Sequence, residues 1–107
     1  MLKEMADPPP VRVVDLVLVA ADEKGQAECI RLAADLRRAR LCVETDLKNR
    51  SVKAQMRRAD RLNARTVMVL GEREVSEKKA QLKWLSDGHQ EICAVDSALV
   101  LRALKPN

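Results

Sequence analysis

Between Lys48 and Arg65 the sequence holds seven cations, Lys48, Arg50, Lys53, Arg57, Arg58, Arg61 and Arg65, against one acid, Asp60. That stretch carries six net positive charges, whereas the whole 107-residue chain carries +4, which leaves −2 for everything else. Basicity confined to one stretch points to an anionic partner more strongly than overall charge does. Lys53, Arg57 and Arg61 also recur every fourth residue, so a helix would align them in one stripe. Like-charge neighbours at that spacing cost ~0.2–0.5 kcal/mol per pair, and only Asp60 offsets them. Charge runs are commonly solvated faces, but such faces mix their signs and this one hardly does. Contact with phosphates or bases is the chemistry that makes use of it.

Two acids, Glu72 and Glu74, follow the apolar run "RTVMVLG" at its C-terminal end, the edge where ligands gather in open α/β sheets. As loop residues they need no further explanation. A carboxylate beside a polyanion is costly, however, unless it accepts hydrogen bonds from a base. Guanine offers N–H donors on its Watson–Crick edge, so an acid paired with an arginine can read it.

The other reactive residue types assemble no reaction. His89, the single histidine, stands beside a turn with no evident Ser, Cys or carboxylate partner, and reads as a turn residue. Cys29, Cys42 and Cys93 are scattered without a C-x-x-C, as expected of reduced, small core residues in a cytosolic protein. No Cys, His and carboxylate cluster has metal-ligand spacing, and "EKGQAE", with its single glycine, is no phosphate loop. Neither catalytic residues nor a cofactor or metal site is expected in this chain. One Trp with no Phe or Tyr excludes a sheet of stacking aromatics. No apolar run approaches the roughly 20 residues that span a bilayer, and no membrane contact is expected.

The elements that must position these residues follow from hydrophobic periodicity. "VVDLVLVA" (13–20) is a β-branched run of the kind buried on both faces of a parallel sheet. "DEKGQAECIRLAADLRRAR" has helical spacing, "LCVETD" is a short strand, and the basic stretch forms a second helix. In that helix Val52, Met56, Ala59 and Leu62 make one apolar stripe, with Ser51 or Asn49 as N-cap. "RTVMVLG" (65–71) is a third strand. In "KAQLKWL" the period changes to two: Ala80, Leu82 and Trp84 face the core, and Lys79, Gln81 and Lys83 face away. Asp87-Gly88 predicts a two-residue hairpin turn into "QEICAV", and Asp96 caps a last helix, "SALVLRALK". The order β-α-β-α-β-β-β-α predicts a three-layer α/β/α domain on a five-stranded mixed sheet, with strand four antiparallel and right-handed crossovers among the first three. Residues 13–107 make the domain. Residues 1–12, with Pro8, Pro9 and Pro10, read as a linker or the remnant of a preceding catalytic domain.

The run "VKAQMRRADRLNARTVMVLGEREV", preceded by "VETDLKNRS" and followed by "QLKWLSDGHQEICAVD", resembles the C-terminal anticodon-binding domain of class IIa aminoacyl-tRNA synthetases. Within that class it is most similar to the histidyl branch, through "ADRLNAR", "VLGE" and the "LK" of strand four. The resemblance covers residues 13 to 104 and implies a mixed α/β/α domain that grips the anticodon loop. In the related threonyl branch the contacts come from an Asn before helix two, an Arg within it, an acid after strand three and a basic residue on strand four. Matched motif by motif, these fall on Asn49, Arg57, Glu74 and Lys83. Arg50, Lys53 and Arg61 join them from the charge pattern. The sequence departs from the family at Trp84, where a small or acidic residue is usual, and in lacking a glycine before strand four. The resemblance implies a tRNA anticodon stem-loop as partner, together with the catalytic domain of a homodimeric, cytoplasmic parent ligase that uses ATP and Mg to charge tRNA with histidine. None of that enzyme's ATP- or histidine-binding motifs is present, so this chain by itself should not aminoacylate. The competing expectations are a pseudo-synthetase module for protein–protein contact or regulation, and the corresponding domain of a threonyl, prolyl or glycyl enzyme.

Overall fold

The apolar run at 13–20 forms β1 (Leu16–Ala20), with four of its five residues buried, as a strand covered on both faces requires. It belongs to a computed structural model that describes residues 14–45 and 51–104. Asp22 then caps α1 (Glu23–Arg38) by accepting from the Gly25 N–H. Arg37, in the last turn of α1, donates twice to the Val43 carbonyl at 3.1 and 2.8 Å, tying that helix to β2 (Val43–Thr45). Next comes α2 (Val52–Arg61), whose cap is Ser51, its hydroxyl accepting from the Ala54 N–H at 3.2 Å. β3 (Thr66–Leu70), α3 (Glu72–Glu77), β4 (Lys79–Trp84), β5 (Gln90–Ala94) and α4 (Ser97–Leu104) complete the order. Asp96 caps α4 as expected, its carboxylate accepting from the Ala98 and Leu99 N–H groups.

The five strands form one sheet in the order β2-β1-β3-β4-β5. β1 runs parallel to β2 and β3, and β4 is antiparallel to β3 and β5. Two aliphatic cores flank the sheet. On one face Cys29, Leu32, Ala33 and Leu36 of α1, with Val100 and Leu104 of α4, cover Leu16, Leu18, Met68, Leu70, Ala80 and Leu82. On the other, α2 lays Val52, Met56 and Ala59 over Val17, Val19, Val67 and Val69. The expected three-layer class is therefore observed.

Two local expectations give way. Residues 72–77, expected as loop, form α3. Its six residues include none that is buried, so no hydrophobic period marks it. Glu74 instead bonds back to the Gly71 N–H, the one half of a capping box that a glycine N-cap allows, and Lys78 ends the helix in the left-handed region at φ 58°. The hairpin turn is also longer than two residues. Trp84 N–H donates to the His89 carbonyl and Gly88 N–H to the Trp84 carbonyl, so residues 85–88 form the loop. Only Gly88 there has positive φ (77°), whereas a two-residue type I′ turn needs it at both central positions. The period-two reading of β4 holds: Ala80 and Leu82 are buried and Trp84 is half-buried against the same core.

Candidate nucleic-acid interface

With α2's apolar stripe seated on β1 and β3, a rotation of about 100° per residue carries Lys53, Arg57 and Arg61 to the opposite side. All three are exposed. None of them enters an ion pair among the described residues. At 1.5 Å rise per residue the ridge is ~12 Å long. Other cations of the basic stretch are used inside the fold. Arg58 pairs with Glu44 of β2 at 3.2 Å, and its Nη1 is buried without a partner. Arg65 pairs with Asp15 at 3.3 Å, and Asp15 also accepts from the Cys42 N–H at 2.9 Å. Among the described residues of the basic stretch, the tertiary fold thus leaves one three-residue ridge with Asp60 beside it.

Because Arg58 leans toward β2, the opposite flank of α2, with Met56, Asp60 and Lys53, looks toward β4 and β5. Among the described residues, that half of the sheet carries no helix on this face. Lys83 lies directly across from Val67, which packs under α2, so Lys83 shares α2's face of the sheet. The next pair outward is Gln81 with Ile92, and Ile92 is 67% exposed. Glu74 borders a shallow depression of about 290 Å³ together with Gln81, Lys79 and Ile92. One oxygen of its half-buried carboxylate accepts from the Gly71 N–H at 2.9 Å, and the other has no partner among the described residues. The fold therefore brings Lys53, Arg57, Arg61 and Lys83 to one face and sets Glu74 at its margin. Asn49 and Arg50 lie outside the described residues. Glu72 is turned elsewhere, pairing with Lys24 of α1 at 3.1 Å.

Sequence reasoning missed the joint beneath this margin. Asp22 accepts from the Gly25 N–H through Oδ1 and from the Glu72 N–H through Oδ2, both at 2.8 Å, and so ties together the starts of α1 and α3. The backbone bond from Glu72, then that from Gly25, holds this carboxyl below its ordinary pKa. The signal was an Asp three residues before a glycine at a strand–helix junction. His89 also has a carboxylate partner that the sequence did not reveal: Glu91 on β5, at 2.7 Å, with the Trp84 ring 5.1 Å away at 50°. Alternation along β5 puts residues 89 and 91 on one face. No group of three or more Cys, His, Asp or Glu could hold a metal ion among the described residues.

The sequence model of the family described as "Anticodon binding domain" matches residues 13–101. The chain belongs to that family. It is 43% identical over 83 residues to a histidine–tRNA ligase of Bacillus cytotoxicus, covering 78% of this chain and 20% of the ligase. A histidine–tRNA ligase of Geobacillus thermodenitrificans is 40% identical over 79 residues, 74% of this chain and 18% of that one. Among solved structures, apo histidyl-tRNA synthetase of S. aureus superposes with a TM-score of 0.78 at 27% identity, covering 83% of this chain and 26% of that one. The RNA binding domain of threonyl-tRNA synthetase from Cryptosporidium parvum shares the fold, with a TM-score of 0.75 at 19% identity over 86% of this chain and 23% of that one. The chain spans about a fifth of the length of the curated relatives it matches. In this anticodon-binding domain the cation ridge and Lys83 share one face, with Glu74 at its margin.

Proposed function

We propose that this domain binds the anticodon loop of tRNA on behalf of a histidyl-tRNA synthetase. The observation that carries the reading is the ridge of Lys53, Arg57 and Arg61, exposed and without ion pairs among the described residues, on the helix of an anticodon-binding fold. A helix that keeps three like charges aligned gives up stability, and phosphate contact recovers it. Lys83 and, by sequence, Arg50 add cations to the same contact, while Asn49 and Glu74 supply polar groups for base edges. The likeness to histidine–tRNA ligases favours the histidyl over the threonyl branch. In this reading the parent is a cytoplasmic homodimer whose catalytic domain, with ATP and Mg, performs the ligation. This chain contributes recognition and no catalytic residue. No helix among the described residues is long and apolar enough to cross a membrane.

The test is fluorescence anisotropy with a labelled stem-loop carrying a GUG anticodon, titrated over a range of salt. Three to five phosphate contacts predict that log affinity falls against log salt with a slope of about −2 to −3.5. No RNA binding, or binding that ignores salt, would favour a protein-binding module instead, and binding that treats any hairpin of equal length alike would refute anticodon recognition.

A further inference from the structure

β2 is described as far as Thr45. The parallel register pairs Leu18 with Thr45 and Ala20 with Leu70 of β3, and among the described residues no β2 residue is paired with Ala20. Backbone groups of alternate residues in a strand point to opposite neighbours. Leu16 donates toward β2, to the Cys42 carbonyl, and Ala21 toward β3, to the Leu70 carbonyl. The N–H and C=O of Ala20 therefore face the β2 side of the strand. Gln55 of α2 meets them there. Its Oε1 accepts from the Ala20 N–H at 2.9 Å, and its Nε2 donates to the Ala20 carbonyl at 2.8 Å.

A primary amide carries a donor and an acceptor side by side, as a neighbouring strand offers in turn along its edge. Gln55 is only 2% exposed, so neither bond competes with bulk water. Apart from the partly exposed Arg58–Glu44 pair at one flank, the rest of α2's seat is aliphatic, and much of it is half-buried: Val52, Met56 and Leu62. Such packing is non-directional and does not fix the helix against sliding or rolling. The two Gln55 bonds are directional, and Lys53 and Arg57 stand two residues to either side of them on the outer face.

We propose that Gln55 is a positioning residue for RNA binding. By bracketing the Ala20 backbone as a strand neighbour would, it sets the height and rotation of α2 and so aims the Lys53–Arg57–Arg61 ridge. The proposal rests on the RNA-binding reading above.

The experiment uses Gln55→Glu and Gln55→Met in the full chain. Methionine keeps length and apolar bulk but loses both bonds. A glutamic acid side chain, when protonated, presents one donor and one acceptor and restores the bracket. Once ionised it can no longer donate. Relative to wild type at each pH, Gln55→Glu should bind the GUG stem-loop nearly normally at about pH 5 and lose about tenfold, ~1.4 kcal/mol, by about pH 8. Gln55→Met should be weak throughout. The Ala20 amide resonance in the RNA-free protein supplies an independent readout. It should match wild type in Gln55→Glu at low pH and move away as the carboxyl ionises. A Gln55→Glu/wild-type affinity ratio that stays constant with pH while the Ala20 resonance shifts would overturn the positioning role. An Ala20 resonance indifferent to both variants would overturn the bracket itself. If wild type binds no RNA while Ala20 responds as described, the RNA-binding reading is what has failed, and the positioning role falls with it.

Discussion

Replacing Gly25 with alanine should destabilise the domain, although alanine is the better helix former by ~1 kcal/mol. A Cβ at that position would lie 1.9 Å from the Leu70 carbonyl oxygen, 2.6 Å from its carbon and 3.0 Å from the Gly71 Cα. All three are backbone atoms, so no side chain can rotate out of the way. Contacts of this kind settle at about 3.5 Å, so the first turn of α1 must retreat by more than 1 Å. That turn is bound where it touches. Asp22 holds the N–H groups of Gly25 and Glu72 at 2.8 Å each, and Ala21 donates to the same Leu70 oxygen at 2.8 Å. A retreat of that size takes the bond to Glu72 beyond hydrogen-bonding range. Losing the joint costs about 1–2 kcal/mol as a weakened cap and about 1 kcal/mol as a broken hydrogen bond. Loosened packing around buried Cys29 and Leu70 adds about 1 kcal/mol. Less the propensity gain, the net loss is ~2–3 kcal/mol. Urea unfolding followed by circular dichroism should show a lower midpoint with an unchanged slope. A Gly25→Ala protein at least as stable as wild type would refute the claim that α1 is clamped against the end of β3.

Arg57→Ala and Glu74→Gln should each cost about 1–3 kcal/mol on a GUG stem-loop and much less on one whose guanines are replaced, whereas Lys53→Ala and Arg61→Ala should weaken both RNAs alike. Glutamine at 74 can still accept from the Gly71 N–H, so the melting temperature of Glu74→Gln should hold. Equal losses on the two RNAs, or none, would reduce the ridge to a phosphate cradle. Burial, and secondarily Glu28, pushes the Cys29 thiol up to about 12 from 9.0. It should resist alkylation in the native protein at pH 9 and react on unfolding. Since folding keeps this proton while the unfolded chain releases it, Cys29's contribution to stability should be complete below about pH 9 and decline from there toward pH 12. Alkylation of native Cys29 at the rate seen in urea would contradict the packing.

The legible parts of this fold are those written in short-range patterns. A β-branched run at 16–20, helical spacing of Val52, Met56 and Ala59, and period two in β4 each declare which face must be buried, whatever surrounds them. Ser51 and Asp96 mark helix starts because a cap bonds only two or three residues ahead. The hairpin turn was misjudged from equally local evidence. Asp-Gly favours a two-residue turn, but the pairing of Trp84 with His89 leaves four residues in the loop.

The sequence by itself determined the order of elements that bury apolar surface, and it separated the charged face of α2 from its seated one, since both follow from 3.6- and 2-residue periods. Only the tertiary structure decided which charges remain available. Arg58 and Arg65 are as basic on paper as Arg57, yet their partners Glu44 and Asp15 lie 14 and 50 residues away. The same holds for Gly25 under Leu70, for Asp22 joining two helix starts and for Gln55 bracketing the Ala20 backbone. Each depends on where two distant segments meet, and no pattern within a few residues carries that distance. α3 was hidden for the opposite reason. None of its residues is fully buried, so it has no hydrophobic period, and a helix held by its caps and by ties to α1 appears only once the chain around it is in place.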